Sequence, residues 1–167
     1  MKSIDPNKLL VDIINLWDKQ WFLLTSGTED NFNMMTVSWG SIGCMWNKPF
    51  VQIVVRPQRY TYEFLENSDT FSLCAFPEQY RPALQLLGSK SGRHGDKLGL
   101  TDLTIKKSSK ILAPSYNEAS LILECRKMYY QDMDPNGFLD ETIQNNYPIN
   151  DYHRVYYGEI LAVFISE

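Results

Sequence analysis

Residues 31–66 read NFNMMTVSWGSIGCMWNKPFVQIVVRPQRYTYEFLE, and the fold turns on how this stretch is parsed. Two apolar runs rich in β-branched residues flank the short turn Asn47-Lys48-Pro49. Runs of that composition bounded by turn residues predict strands, here over 34–44 and 50–55. Gly40 and Gly43 interrupt the first, which predicts a bulge or the close approach of another group. The second run ends in Arg56-Pro57-Gln58-Arg59 and passes through Tyr60-Thr61 into a short amphipathic helix over 60–67. The parts together make an anion site with an aromatic wall beside it.

On either side of this stretch, similar runs predict strands over 21–26, 70–76, 121–131 and 153–165, with a shorter one near 103–106. Apolar side chains at 9, 10, 13, 14, 16 and 17 keep close to a 3.6-residue period, so an entry helix is expected over 7–17 behind Pro6. A second helix is expected over 81–87, stopped by Gly88. Residues 88–118 are polar and irregular, and 135–148 form a polar insertion between the last two strands. Loops of that length often cover sites. No repeat, low-complexity tract or linker divides the chain, so residues 1–167 are expected to form one domain. Six or more strands with only short helices predict a mainly β (α+β) fold, an antiparallel barrel rather than a βαβ sheet.

Composition excludes several classes of function. The chain has 167 residues, 44% hydrophobic and 22% charged, as expected of a globular protein with one substantial core. Its net charge of −4 argues against nucleic acid, which needs a dense basic face. No apolar run approaches the length of a membrane span, and the first residues lack a signal core, so a cytoplasmic protein is expected. Cys44, Cys74 and Cys125 are odd in number, far apart and in apolar surroundings, which predicts buried thiols rather than disulfides. His94 and His153 lie far apart without metal-ligand spacing, so no metal is expected. The aromatic share of 13% suits strand faces, interfaces or a planar ligand, and a β-rich core accounts for most of it.

Three segments carry candidate chemistry. In Asn33-Met34-Met35-Thr36-Val37-Ser38-Trp39-Gly40, alternation puts Thr36, Ser38 and Gly40 on one side and Met35, Val37 and Trp39 on the other. A hydroxyl face beside a glycine suits a phosphate and a sugar, although an ordinary edge strand has the same pattern. In Arg56-Pro57-Gln58-Arg59-Tyr60-Thr61, a forked cation precedes a helix N-terminus, with Thr61 as the expected cap. A capped helix with two surface arginines is the plainer alternative. Residues 88–97, Gly-Ser-Lys-Ser-Gly-Arg-His-Gly-Asp-Lys, pack hydroxyls and cations together but lack P-loop spacing. They suit either an anion cradle or a solvated loop. No nucleophile–base pair and no G-x-G-x-x-G stands out, so no catalytic side chain is assigned and a cofactor is expected to carry the chemistry.

The order Asn33-x-x-Thr36-x-Ser38-Trp39, Arg56-Pro57-x-Arg59-Tyr60-Thr61 and Phe71-Ser72-Leu73 closely resembles the flavin reductase-like proteins, nearest their flavoredoxin type. The likeness runs through Ser89–Lys97 to His153-Arg154-Val155-Tyr156-Tyr157-Gly158-Glu159-Ile160 and covers roughly residues 20–165. It implies an antiparallel split β-barrel with short peripheral helices, a homodimer, and one FMN per subunit. Contacts implied for the cofactor fall on Asn33, Thr36, Val37, Ser38, Trp39, Arg56, Gln58, Tyr60, Thr61, Ser89, Lys90 and Ser91. Of these, 36–39 would line the ribityl chain and ring, Arg56, Tyr60 and Thr61 would hold the phosphate, and 89–91 would close over it. His153 is a weaker candidate at the pocket rim. The implied activity is an FMN-dependent oxidoreductase that accepts hydride from NADH or NADPH. The alternatives are an FMN-containing electron carrier serving a redox partner protein, and a binding module that has lost its flavin.

Overall fold

A computed structural model describes residues 1–166 of the chain. Among them run ten strands: β1 (Lys2–Ile4), β2 (Phe22–Gly27), β3 (Phe32–Val37), β4 (Gly40–Met45), β5 (Lys48–Val55), β6 (Thr70–Ala75), β7 (Ile105–Lys106), β8 (Ser115–Tyr116), β9 (Leu121–Asp132) and β10 (Arg154–Ile165). Three α-helices accompany them: α1 (Ile13–Asn15), α2 (Tyr60–Glu66) and α3 (Arg81–Ser89). The main sheet is antiparallel and runs β3-β2-β6-β9-β10-β5-β4, with β1 added along the end of β10. β7 and β8 form a separate two-stranded ribbon. This is the expected antiparallel split barrel.

Both faces of the central strands are buried, and alternation divides them between two cores. Phe22, Leu24, Phe71, Leu73, Leu123 and Tyr156 point into the barrel. Leu23, Cys74, Phe76 and Ile122 point outward, where Leu84 and Leu87 of α3 and Tyr116 cover them. That is why β2 is buried at every position, with Phe22, Leu23 and Leu24 apolar on both faces. Burial pushes the Cys74 thiol up to about 12 and Cys125 well above its ordinary range, so both are inert. Cys44 departs from expectation. It is exposed, because β4 is an edge strand with an uncovered face.

The expected strand over 34–44 is two strands. β3 and β4 are adjacent in sequence, yet they occupy opposite edges of the sheet. The chain leaves one edge at Ser38 and Trp39 and rejoins the other at Gly40, so this dipeptide crosses the barrel's seam. Gly40 marks a close approach, as its position in a strand suggested. A Cβ there would overlap the Gln52 carbonyl oxygen and the Trp17 ring.

The entry helix is also corrected. A 3-10 turn (Pro6–Lys8), α1 and a π-turn (Leu16–Gln20) replace one continuous helix. Asp5 accepts from Asn7 N and Asp12 from Asn15 N, so each carboxylate starts its own short turn. Gly88 does not stop α3, which continues to Ser89. It instead sits against Thr36, where a Cβ would lie 3.1 Å from the Thr36 Cβ.

Candidate functional site

The seam between β3 and β5 opens into two adjoining cavities that share Met35 and Arg59. The first, of about 190 Å³, is lined by residues 35–39 together with Val54, Arg56, Arg59 and His153. The second, of about 310 Å³, is lined by Asn33, Met35, residues 58–61, residues 89–94 and Lys97. All twelve residues singled out in the sequence therefore line one of the two. Thr36, Val37, Ser38, Trp39 and Arg56 fall on the smaller, and the remaining seven on the larger.

The larger cavity is cationic. Arg59 Nη2 donates to the Gly88 carbonyl oxygen at 2.6 Å, and Lys97 Nζ donates to the carbonyl oxygens of Leu87 and Lys90 at 2.9 and 3.1 Å. Neither cation meets a carboxylate among the described residues. Lys97 is only 5% exposed. Burial, and then the charge of Arg59, depress its ammonium to about 8. Burial and then Arg56 likewise lower Arg59. Two desolvated like charges beside one cavity are costly unless an anion lies between them.

The rest of the cavity wall is hydroxyl and amide. Asn33 Nδ2 donates to Thr61 Oγ1 at 2.8 Å, and both side chains are buried. Thr61 is not the cap of α2. Arg59 holds that position and makes no side-chain capping bond, which leaves first-turn N–H groups free for solvent or a ligand. The 89–97 loop is strapped down by Arg93, which donates to the Gln58 carbonyl oxygen at 3.0 Å, pairs with Glu63 and covers the Tyr60 ring. Gly92 is required there, because a Cβ would overlap Asn33 Oδ1.

The smaller cavity has an aromatic end, formed by Trp39 and His153. Trp39, 46% exposed, stands at its wall with its ring centroid 5.4 Å from that of His153. Arg56 faces this end, and its guanidinium is already engaged by Asp151 Oδ2 at 2.5 Å and the Asn146 carbonyl oxygen at 2.8 Å. Arg56 thus lines only the smaller cavity, whereas Arg59 lines both. Between the end of β9 and the start of β10 the insertion runs beyond its expected bounds of 135–148, over 133–152, and carries both Asp151 and Tyr147, whose hydroxyl is 2.8 Å from His153 Nδ1. Burial, and next the charge of Arg56, hold His153 down to about 4, so the imidazole is neutral at pH 7.

Sequence reading passed over two cations that line the larger cavity, Arg59 and Lys97. Arg59 sits inside the motif itself, three residues beyond Arg56, but nothing local shows which arginine faces which cavity. Lys97 lies nearly sixty residues from the strand it serves, and its only sequence signal is membership of the cationic run 88–97.

Comparison with known proteins agrees with this fold. The family model for the flavin reductase like domain matches residues 18–167. A curated protein of Archaeoglobus fulgidus, described as uncharacterized, is 26% identical over 117 residues, 66% of this chain. That match spans 62% of the relative's own length. The flavoredoxin of Desulfovibrio vulgaris (Miyazaki F) superposes with a TM-score of 0.69 at 19% identity, covering 95% of this chain and 74% of its own. An NADH:FAD oxidoreductase of Streptomyces globisporus, solved with NAD and FAD fragments, gives a TM-score of 0.68 at 16% identity, covering 88% and 74%.

Proposed function

The chain belongs to the flavin reductase like domain family, and on that premise we propose that it binds FMN and works as an oxidoreductase using NADH or NADPH. The reading is carried by one observation: half-buried Arg59 and buried Lys97 are cations that meet no carboxylate among the described residues, set in a wall of hydroxyls and amides. A phosphate dianion is the group that such a wall fits. The remaining lining is consistent with the rest of FMN, with Ser38 and the Thr36 backbone for the ribityl chain and Trp39 for the flat ring. Ser89, Lys90 and Ser91 close the phosphate end, and Asn33, Gln58, Tyr60 and Thr61 line its floor.

When bound, the flavin supplies two-electron chemistry, taking hydride from a reduced nicotinamide and returning electrons to an acceptor. The chain's own residues bind and orient the cofactor, and none needs to act as a nucleophile. Among the described residues no helix is long and apolar enough to cross a membrane. A homodimer accords with the exposed aromatic side chains of Trp46 and Tyr129, whose rings meet Tyr157 at the β4–β5 hairpin. One domain over 1–167, in the cytoplasm, completes the reading.

The test is an absorption spectrum of the purified protein before and after anaerobic addition of NADH and NADPH. Flavin bands that bleach on addition are expected. A second reading, an FMN electron carrier, draws on the smaller cavity, whose 190 Å³ leaves little room for a nicotinamide beside a flavin ring. Bands that resist both nicotinamides but bleach with dithionite would establish the carrier. A protein that takes up no FMN overturns both.

Lys97 adds a pH dependence. Its ammonium is charged below about 8, and a bound dianion favours that charged form. Above pH 8 binding must therefore draw a proton from solvent. The Kd for FMN is expected to rise with pH by up to about tenfold per unit above 8. Riboflavin, lacking the phosphate, should show no such slope, and Lys97→Met should remove it for FMN. Fluorescence titrations at pH 7, 8 and 9 give the answer.

A further inference from the structure

We propose that Tyr147, carried on the 133–152 insertion, is a positioning residue whose phenol donates to His153 Nδ1 and so holds the imidazole in the tautomer that presents Nε2–H to the smaller cavity. What receives that N–H rests on the flavin reading, while the tautomer itself does not.

The geometry carries the assignment. The Tyr147 hydroxyl has two neighbours, His153 Nδ1 at 2.8 Å and Met133 Sδ at 3.4 Å. An imidazole nitrogen is a far better acceptor than a thioether sulfur, so the phenol's single proton goes to Nδ1, which leaves the ring proton on Nε2. Burial raises the Tyr147 pKa, so the phenol keeps its proton at neutral pH. His153, neutral there too, carries a single ring proton. Which nitrogen bears it decides whether the cavity meets a donor or an acceptor.

Both partners are held in place. Tyr147 is 2% exposed, stacked on Phe138 with ring centroids 5.8 Å apart, and packed on Tyr152 at 4.9 Å. The Arg56 guanidinium lies 5.1 Å from the centre of its ring, and Asp151 holds that guanidinium in turn. The His153 ring is fixed between Trp39 at 5.4 Å and Tyr147 at 5.5 Å. Its Nε2 has no hydrogen-bond partner among the described residues, although the side chain lines the cavity. Because Arg56 is spent on Asp151 and Asn146, His153 Nε2–H is a neutral donor left free at that end. A donor there stabilises negative charge that develops on a reduced ring.

Two measurements test the assignment. Long-range 1H–15N NMR of the flavin-free protein should show His153 as the Nε2–H tautomer, and Tyr147→Phe should convert it to a tautomer mixture. With FMN bound and a reference dye setting the potential, Tyr147→Phe should shift the reduced-to-oxidised ratio about tenfold toward oxidised flavin, the worth of one hydrogen bond. The FMN Kd should stay within about twofold, because the phosphate wall is untouched. Tyr152→Phe, which loosens the same insertion through its bonds to Gln144 and Asn150, should leave the tautomer and the ratio unchanged. An Nδ1–H tautomer in the native protein overturns the proposal. So does a Tyr147→Phe variant with unaltered tautomer and ratio, or a Tyr152→Phe variant that reproduces the change. A native protein that shows the tautomer switch but takes up no flavin supports the Tyr147 assignment and overturns the flavin reading alone.

Discussion

Arg59→Ala is expected to raise the Kd for FMN about a hundredfold while changing that for riboflavin less than about threefold, the loss expected on truncating one partner of a desolvated charge pair. The side chain joins the two cavities, is not matched by any carboxylate among the described residues, and is held only by the Gly88 carbonyl. Its charge is therefore available to a phosphate. Arg56→Ala makes the informative contrast. That guanidinium is neutralised by Asp151, so its removal should affect FMN and riboflavin alike, through the insertion and the ring end. Isothermal titration of both ligands against both variants checks the assignment. Equal losses for FMN and riboflavin in Arg59→Ala would make Arg59 a structural residue.

Gly40→Ala is expected to destabilise the fold by about 3 kcal/mol, the upper part of the range for overpacking. The added Cβ meets the Gln52 backbone oxygen on β5 and the Trp17 ring together. A side chain can turn aside, but a carbonyl inside a strand pair cannot without breaking the ladder, and Gly40 pairs with Ile53 in that ladder. Restricting the unfolded chain offsets only about 0.4–1 kcal/mol. A fall in Tm of about 6–12 °C follows for a chain of this size. Gly137→Ala is the control, since a Cβ there would meet nothing within 4 Å and its backbone lies outside the positive-φ region. Thermal unfolding of the two variants separates crowding at Gly40 from a general effect of replacing glycine. A Gly40→Ala variant as stable as the native chain would mean that β4 can move away from the seam.

Much of this was legible in residues 31–66. The β-branched runs and the Arg56–Thr61 passage into α2 depend on neighbours in sequence, and each lies close to its expected place, whereas the turn expected at Asn47-Lys48-Pro49 falls at Trp46-Asn47, with Lys48 and Pro49 already paired in β5. The split at Ser38 and Trp39 was not legible. Alternation continues through it, and only the sheet order reveals that β3 and β4 lie on opposite edges. The entry helix failed for a related reason. Its apolar period was real, but Asp5 and Asp12 start separate turns, leaving Leu10 and Ile14 exposed and Leu16 and Trp17 buried.

Strand content and the antiparallel barrel could thus be read from the chain alone, because they rest on short-range periodicity, while the twelve residues that line the seam were implied by the family resemblance of its motifs. Which arginine faces the larger cavity could not, nor that Lys97 lies buried beside it, nor that Tyr147 reaches His153. Burial, charge neutralisation and hydrogen-bond direction depend on what distant segments bring alongside. Asp151 occupies Arg56 across ninety-five residues of chain, while Arg59 meets no carboxylate among the described residues.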